Sequence, residues 1–433
     1  MAHLPHQRHT LTRTRRSTPH ASVVALLLLA LSAGLSSCSL GGIGGQSTAH
    51  TVNIVAVFPA TGPSSSLGQA MGHAVDLAVK QQGALGGGYT LTVAHVDEAS
   101  VGVDASVAQA AAAPQTMGVV GPFGSTAAAA ILPGLAQAGV ATISPTATLP
   151  GLTKADQAAA EGLTFNQLHL QGKPANFFRL TADDNAIGAT AASMALASTQ
   201  AHGLGAHSVY VVNDGSPSGK AQAAAFQSAL KAGHGALAGT ATITAGDEIS
   251  VQTGVSSIIE GAPDAVFYAG DETLGADLRR TLTLTGAPQL GILTAGASAD
   301  DPGWGALVGN PVVATNTTSL LPAQDLATAS GGKSFVTAFQ AAYPGASVTP
   351  QVALAYDAAM VEISAIKSVI AAKQAPTRAA ILSAIAGSKY AGVTGQIAFD
   401  KNGDPTTTPG FAIYTCDQKG AWSYQSPFAG SGA

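Results

Sequence analysis

The chain has 433 residues, more than one hydrophobic core usually supports, so its length favours two domains. Hydrophobic residues make up 46% of the chain and charged residues only 10%; alanine and glycine fill the difference, which excludes an intrinsically disordered protein. The formal net charge of −5, with no long basic run beyond the extreme N-terminus, excludes a typical nucleic-acid-binding protein.

The N-terminus has the features of a secretory signal. Residues 1–20 contain four arginines and no acidic residue, and an apolar run follows at 23–31. This run is too short to span a membrane, and small residues follow it, so we expect cleavage rather than a transmembrane helix. The pair Arg15-Arg16 leaves export by the Tat route open beside the Sec route, although the rest of the Tat motif is poor.

Leu-Ser-Ser-Cys at residues 35–38 resembles the bacterial lipobox. The resemblance implies that residues 1–37 are a signal peptide and that Cys38 carries a diacylglyceryl group as the mature N-terminus. Residues 38–50 would then be a flexible tether between the lipid and the folded part. The alternative is an ordinary signal peptide with a chance cysteine. Removing residues 1–37 takes away four arginines and no acid, which gives the exported chain a formal net charge of −9.

Cys416 is the other cysteine of the chain. A disulfide with Cys38 is arithmetically possible, but lipidation of Cys38 would leave Cys416 as a lone thiol. No catalytic residue neighbours it in the sequence, so we expect a small buried or half-buried residue.

Strand and helix patterns alternate from residue 51 onward. Apolar runs predict strands at 52–58, 89–96, 117–121 and 141–144. Helical spacing predicts one helix from Met71 that stops at the glycines of 83–88, and others at 105–113 and 125–137. Such alternation is typical of a parallel sheet covered on both faces, so this half predicts an α/β lobe.

The same alternation of strands and helices begins again after Arg179 and predicts a second α/β lobe. Helices are predicted at 187–198, 219–232 and 272–284, and strands at 207–212, 265–269 and 290–294. Two later helices, at 351–372 and 377–386, form a third segment, and 395–399 with 411–416 is predicted to be a β-hairpin. Residues 155–173 have no clear periodicity and are predicted to be an inserted loop.

Five short motifs, in a fixed order, carry a family resemblance. They are Phe-Pro-Ala-Thr-Gly-Pro at 58–63 with Leu67-Gly68, Val-Gly-Pro at 120–122 with Ser125, Gly-Val-Ala-Thr-Ile-Ser-Pro-Thr-Ala-Thr at 139–148, Phe178-Arg179, and Phe-Asp-Lys-Asn-Gly-Asp at 399–404. Together they resemble type I periplasmic binding proteins, most closely the branched-chain amino-acid (Leu/Ile/Val) group of ABC transporter substrate-binding proteins. Each motif alone is weak, but their order is specific, and the resemblance spans about residues 52–416.

The resemblance implies an α/β fold of two Rossmann-like lobes with parallel sheets, joined by three crossover strands. Lobe one would take residues 51–178 and 316–392, and lobe two residues 179–315 and 393–433. The lobes would hinge shut on a small ligand between them. The protein would be a monomer, lipid-anchored on the outer face of the cytoplasmic membrane. It would deliver an amino acid, or a related small carboxylate or amide, to an ABC permease, without cofactor, metal or nucleic acid.

Three hydroxyl residues are the first candidates for ligand binding. Ser125 is predicted between a strand end and a helix start, and Thr146 and Thr148 just past the next strand. A helix N-terminus presents unpaired N–H groups that suit a carboxylate, and ligands of open α/β sheets lie at this edge. The resemblance places the α-carboxylate of an amino acid here. The alternative is that Ser125 is only an N-cap and Thr148 only a turn residue.

The second lobe departs from the family pattern. Ser218 stands where relatives usually carry an aromatic residue, Leu67 matches a first-loop position that is often aromatic, and Ala295 lacks the acid expected to pair with a ligand ammonium. Asp271 is the candidate that pairs with a ligand ammonium instead, from another direction. It is also a candidate N-cap of the next helix, and the two roles are compatible. A branched-chain amino acid is therefore less expected than the family name implies.

Other motifs fail a chemical requirement. Residues 215–219 put Pro217 at the serine position of a nucleophile elbow. Residues 400–404 have calcium-loop spacing, but Pro405 replaces the required glycine. No catalytic and no metal-binding residue is predicted. Two alternatives to transport stay open, a ligand sensor of the same fold and, more remotely, a secreted hydrolase, for which no nucleophile–base pair is recognisable.

Overall fold

The computed structural model describes residues 50–82, 84–169, 175–296, 303–407 and 410–428. The predicted signal peptide, Cys38 and nearly all of the predicted tether lie outside these residues. Within the described part, no helix is long and apolar enough to cross a bilayer.

The first lobe is built on a six-stranded sheet. Its strands are β1 (His50–Phe58), β2 (Ala84–Gly86), β3 (Tyr89–Asp97), β4 (Thr116–Val120), β5 (Ala141–Ser144) and β6 (Phe177–Arg179). The order is β2-β3-β1-β4-β5-β6, and all neighbours are parallel except β2 and β3. Every residue of β4 and β5 is buried, as expected of central strands covered on both faces.

Helices connect these strands and cover the sheet. They are α1 (Ser65–Gln82), α2 (Val103–Ala112) and α3 (Ser125–Ala138). The segment predicted as an inserted loop instead contains the short helices α4 (Ala155–Ala158) and α5 (Phe165–Leu168), and residues 170–174 lie outside the described part. Four-residue helices are too short to leave a periodic pattern in the sequence, which explains the difference.

The second lobe is built on a seven-stranded sheet. In chain order it contains α6 (Asp184–Leu196), β7 (Ser208–Asn213), α7 (Pro217–Ala232), β8 (Ala236–Thr242), α8 (Glu248–Gly261), β9 (Ala265–Ala269), α9 (Glu272–Leu284), β10 (Gly291–Ala295), α10 (Trp304–Val308), α11 (Pro311–Ala314) and β11 (Thr317–Leu321). The chain then forms α12 (Gly332–Ala342), α13 (Pro350–Ala371), α14 (Arg378–Ala386), β12 (Tyr390–Ala391) and β13 (Gln396–Ile397) before β14 (Phe411–Cys416) and β15 (Trp422–Phe428). The sheet order is β15-β14-β11-β10-β9-β7-β8.

The chain passes between the two lobes three times. It leaves the first sheet after β6, leaves the second after β11, and returns to the second at β14. Between the last two passages, α12 and α13 pack into the first-lobe core through side chains such as Phe339 and Val352. The predicted α/β class with two lobes is confirmed. The exact lobe limits stay a prediction. The predicted return to lobe one at residue 316 differs from the structure, because β11 still belongs to the second sheet.

The predicted β-hairpin of 395–399 with 411–416 is wrong. β14 pairs with β15 through a turn in which the Asp417 carboxylate accepts the N–H groups of Lys419 and Ala421, whereas β13 pairs with β12. Between the two predicted strands, the carboxylate of Asp400 accepts two backbone N–H groups and the backbone turns back on itself. This local turn ends the first strand before it can reach the second.

Candidate functional site

A cleft of about 820 Å³ lies between the two lobes. Most of its lining groups follow the carboxyl ends of β1, β3, β4 and β5 in the first lobe and of β7 and β9 in the second; they lie within 59–64, 98–103, 123–130, 146–149, 214–222 and 270–273. Leu163 and Ala295, the last residue of β10, complete the lining. Ligands of open parallel sheets bind at this edge because the strand-to-helix loops meet there.

Five of the six predicted ligand-binding residues line the cleft: Ser125, Thr146, Thr148, Ser218 and Asp271. Leu67 does not. It lies in the first turn of α1 with 1% of its surface exposed, packed in the first-lobe core. Leu67 was predicted to bind ligand because it matches a first-loop position of the family. This match does not tell whether the side chain faces the cleft or, as observed, the core.

Ser125 begins α3, and its hydroxyl fixes the neighbouring loop. Its Oγ accepts the backbone N–H groups of Thr148 and Leu149, each at 3.0 Å. The N-cap of α3 is Gly124, so the alternative prediction that Ser125 is the cap is wrong. The hydroxyl of Thr146 donates to the carbonyl of Phe123 at 2.8 Å. These bonds use the Thr146 proton and leave the Ser125 proton for a ligand.

Glu98, which the sequence analysis did not single out, lies beside the start of α3. Its carboxylate accepts the N–H groups of Phe123 at 2.6 Å and Gly124 at 2.8 Å. Burial raises the pKa of Glu98 to about 7, against the lowering effect of these two hydrogen bonds. The carboxyl group of Glu98 therefore occupies two N–H donors directly before Ser125, where a ligand carboxylate was predicted to bind. The acidic pair at 97–98, directly after a predicted strand, was the available signal.

A buried polar pair, also not predicted, lies on the second-lobe side. The Nε2 of Gln222, on α7, donates to Oδ1 of Asp184, on α6, at 2.8 Å. Asp184 has 0% of its surface exposed. Burial raises its pKa to about 6, while Gln222 and the hydroxyls of Thr148 and Ser218 act in the opposite direction. Gln222 lines the cleft, so this pair forms part of its wall.

Asp271 caps α9, since its Oδ1 accepts the N–H of Leu274 at 3.0 Å. The predicted N-cap role is confirmed, and the role towards a ligand stays a prediction. Next to it, Glu272 is buried and accepts a hydrogen bond of 3.2 Å from the hydroxyl of Ser64 in the first lobe. This bond joins the two lobes across the cleft.

Arg179 ties the first crossover to the cleft loops. Its side chain is 0% exposed, and Nε donates to Oδ1 of Asp404 at 2.7 Å. One terminal nitrogen donates to the carbonyls of Ala147 and Leu149, and the other to the hydroxyl of Thr153. A guanidinium with this many partners is well satisfied despite burial. It holds the loop that carries Thr148 against the crossover.

The described part of the chain holds no cluster of metal ligands, and its one cysteine is buried. Across these residues, no group of three or more His, Cys, Asp or Glu side chains could hold a metal ion. Cys416 is a free, buried residue at 7% exposure, as predicted, and burial raises the pKa of its thiol to about 11.

Comparison with known proteins supports the fold. A family model described as periplasmic binding protein matches residues 51–421. LivJ from Streptococcus pneumoniae, a branched-chain amino acid transporter substrate-binding protein in complex with isoleucine, superimposes with a TM-score of 0.71 at 23% identity, over 87% of this chain and 98% of that chain.

Two further structures show the same architecture. The leucine-binding protein LivK from Thermotoga maritima gives a TM-score of 0.70 at 22% identity, over 87% of this chain and 98% of its own. A solute-binding protein of an ABC transporter from R. palustris, in complex with benzoate, gives 0.67 at 20%, over 88% and 98%. A comparison with curated protein sequences finds no match.

Proposed function

This chain belongs to the periplasmic binding protein family, and we propose that it captures an amino acid or a related small polar solute outside the cytoplasmic membrane and delivers it to an ABC importer. The observation that carries the proposal is the cleft of about 820 Å³ lined by both lobes. Its size falls in the range of small-molecule sites, about 300–1,000 Å³. The isoleucine and benzoate bound by similar structures support a ligand of this size.

The two walls of the cleft have different chemistry. The first-lobe wall includes the apolar side chains of Val103, Phe123, Leu149 and Leu163. The second-lobe wall is mostly polar, with two serines, an amide and three acids within 214–222 and 271–272. An amphipathic small molecule would satisfy both walls at once, which favours binding between the lobes.

Closure of the cleft supports capture and release. Three crossovers connect the lobes, and the Ser64–Glu272 hydrogen bond spans the cleft. A ligand that contacts both walls stabilises the closed arrangement by its differential affinity for it. A permease that recognises the closed form would then receive loaded protein in preference to empty protein.

Binding without turnover is part of the proposal. Among the described lining residues there is no histidine, lysine or cysteine. The lining residues therefore offer the cleft serines no imidazole or amine as a general base, the kind of base that activates most hydrolytic serines. This supports a binding protein rather than the secreted hydrolase left open by the sequence.

We also propose that Cys38 is lipidated and anchors the protein to the outer face of the membrane, with the residues between Cys38 and β1 as the tether. The lipobox-like sequence and the preceding apolar run support this location. Labelling cells with an alkyne fatty acid tests it. We expect the wild type to incorporate label and to stay with membranes, and a Cys38→Ala variant to lose both. Equal labelling of the two proteins would contradict the anchor.

The proposed function is tested by a thermal-shift screen of amino acids, small carboxylic acids and amides at millimolar concentration. Because a ligand that binds only the folded state raises its stability, a true ligand should raise the unfolding midpoint by roughly 3 °C or more. Incubation of each hit with the protein should leave the compound chemically intact. A chemically converted hit, or a screen without any hit, would contradict the proposal.

A further inference from the structure

We propose that the cleft recognises its ligand through a cationic amine on the second-lobe side, at Gln222 and the acids that line the same wall, and that a ligand carboxylate is not required. This inference rests on the proposed solute-binding function and names the chemical class of the solute. It follows from the charges of the lining residues, from one buried acceptor without a partner, and from donors that are already occupied.

The charge of the cleft favours a cation. Four acids line it, Glu98 from the first lobe and Asp214, Asp271 and Glu272 from the second. Within the described part of the chain, no lysine, arginine or histidine lines it. A cleft that is lined by charges of one sign and has low-dielectric walls attracts ligands of the opposite charge. An anionic ligand would meet repulsion from the acids of the second-lobe wall.

Gln222 provides the second, independent observation. The residue has 6% of its surface exposed and lines the cleft. Its Nε2 is committed to Asp184, so its Oε1 is an acceptor, and this atom has no hydrogen-bond partner. A buried acceptor without a donor is unfavourable because it has lost its hydrogen bond to water. A ligand ammonium at the second-lobe wall supplies the missing donor.

The other polar groups around Gln222 are committed to one another. Burial raises the pKa of the Asp184 carboxyl, and hydrogen bonds from the hydroxyls of Thr148 and Ser218 lower it. The Oε1 of Gln222 is therefore the acceptor of this group that remains for a ligand.

The first-lobe wall has only part of its donors free for a ligand carboxylate. Glu98 already accepts the N–H groups of Phe123 and Gly124, and the Thr146 proton is bound to a carbonyl. A ligand carboxylate would be left with the Ser125 proton and the first-turn N–H groups of α3, next to Glu98. The apolar side chains of this wall instead suit a hydrocarbon portion of the ligand.

A thermal-shift panel followed by calorimetry tests the inference. For each amino acid, the panel holds the amino acid, the amine that remains without its carboxylate, and the acid that remains without its amino group, for example leucine, 3-methylbutylamine and 4-methylpentanoate. We expect at least one amine to bind as tightly as its amino acid, within about threefold in Kd, and no acid to bind.

Each outcome bears on the inference separately from the proposed function. Amino acids or acids that bind while no amine binds would overturn the inference and leave the solute-binding function standing. A panel without any binder would overturn both. Amines that bind while the acids do not would support both.

Substitutions locate the contact. Gln222→Met should raise the Kd of the binding amine about tenfold or more, since it removes the buried acceptor. Gln227→Met makes the same change on the same helix, at a residue that does not line the cleft, and should leave the Kd within about twofold.

A second variant covers the case that Gln222→Met folds poorly. Asp271→Asn keeps the N-cap but removes the charge, which should raise the Kd of the amine. The increase should be only roughly two- to fivefold, because Asp271 is exposed and water weakens its attraction to a cation. Asp247→Asn makes the same change at the N-cap of α8, outside the cleft, and should have no effect on binding. An amine affinity that is unchanged in both Gln222→Met and Asp271→Asn would overturn the inference.

Discussion

Glu362 offers a quantitative test of how the first lobe is packed. It lies on α13 with 0% of its surface exposed, and neither carboxyl oxygen has a hydrogen-bond partner. Burial raises the pKa of this carboxyl from 4.5 to about 8. The folded chain therefore keeps a proton that the unfolded chain releases above pH 4.5, so this group must lower the stability as pH rises from 4.5 to about 8.

The substitution Glu362→Gln removes this titration and keeps the shape of the side chain. The two pKa values differ by about 3.5 units, which at ~1.4 kcal/mol per unit gives an upper limit of roughly 5 kcal/mol. Water penetration on ionisation reduces the measured effect. We expect the variant to match the wild type at pH 4.5 and to unfold roughly 5 °C higher at pH 8.

Thermal unfolding followed by circular dichroism between pH 4.5 and 8 measures this difference. Other carboxyls whose pKa burial raises, such as Asp357 at about 6, remain in both proteins, so they cancel in the comparison. Glu260→Gln, at an exposed position on α8, is the matched control and should follow the wild type. A difference between Glu362→Gln and the wild type that stays constant with pH would refute the reasoning.

Three further predictions concern the hinge and the cleft. Arg179→Met leaves Asp404 without its buried partner and should cost about 3 kcal/mol or more in urea unfolding; a cost below about 1 kcal/mol would contradict the role of this ion pair. Asp271→Ala removes the cap of α9 and should cost about 1 kcal/mol in the same assay, whereas Asp271→Asn should behave as the wild type; equal costs would exclude capping. Ser125→Ala leaves two backbone N–H groups without their acceptor and should cost about 2 kcal/mol, together with a higher calorimetric Kd for any ligand of the cleft; unchanged stability would show that the loop needs no such support.

The fold was largely predictable because its strands are apolar and buried. The runs that became β5 and β9 were predicted with the observed limits, since their residues are buried on both faces. β8 was not predicted. It lies at a sheet edge and consists of alanine, glycine, threonine and one exposed leucine, so its sequence carries no strong strand signal.

The site was only partly predictable because its polar partners come from distant parts of the chain. Ser125 and Asp271 follow strands, and their position along the sequence was enough to place them at the cleft. Gln222 and Asp184 are 38 positions apart and meet only through the packing of α6 against α7. A lone glutamine within a helix gives no sign of such a partner.

A crystal structure of the protein with the tightest-binding compound of the panel tests the central claim most directly. The account predicts the ligand between the lobes, with its amine within about 3.2 Å of Gln222 Oε1 and its apolar part against the first-lobe wall. A ligand bound outside the cleft, or one that touches a single lobe, would contradict it.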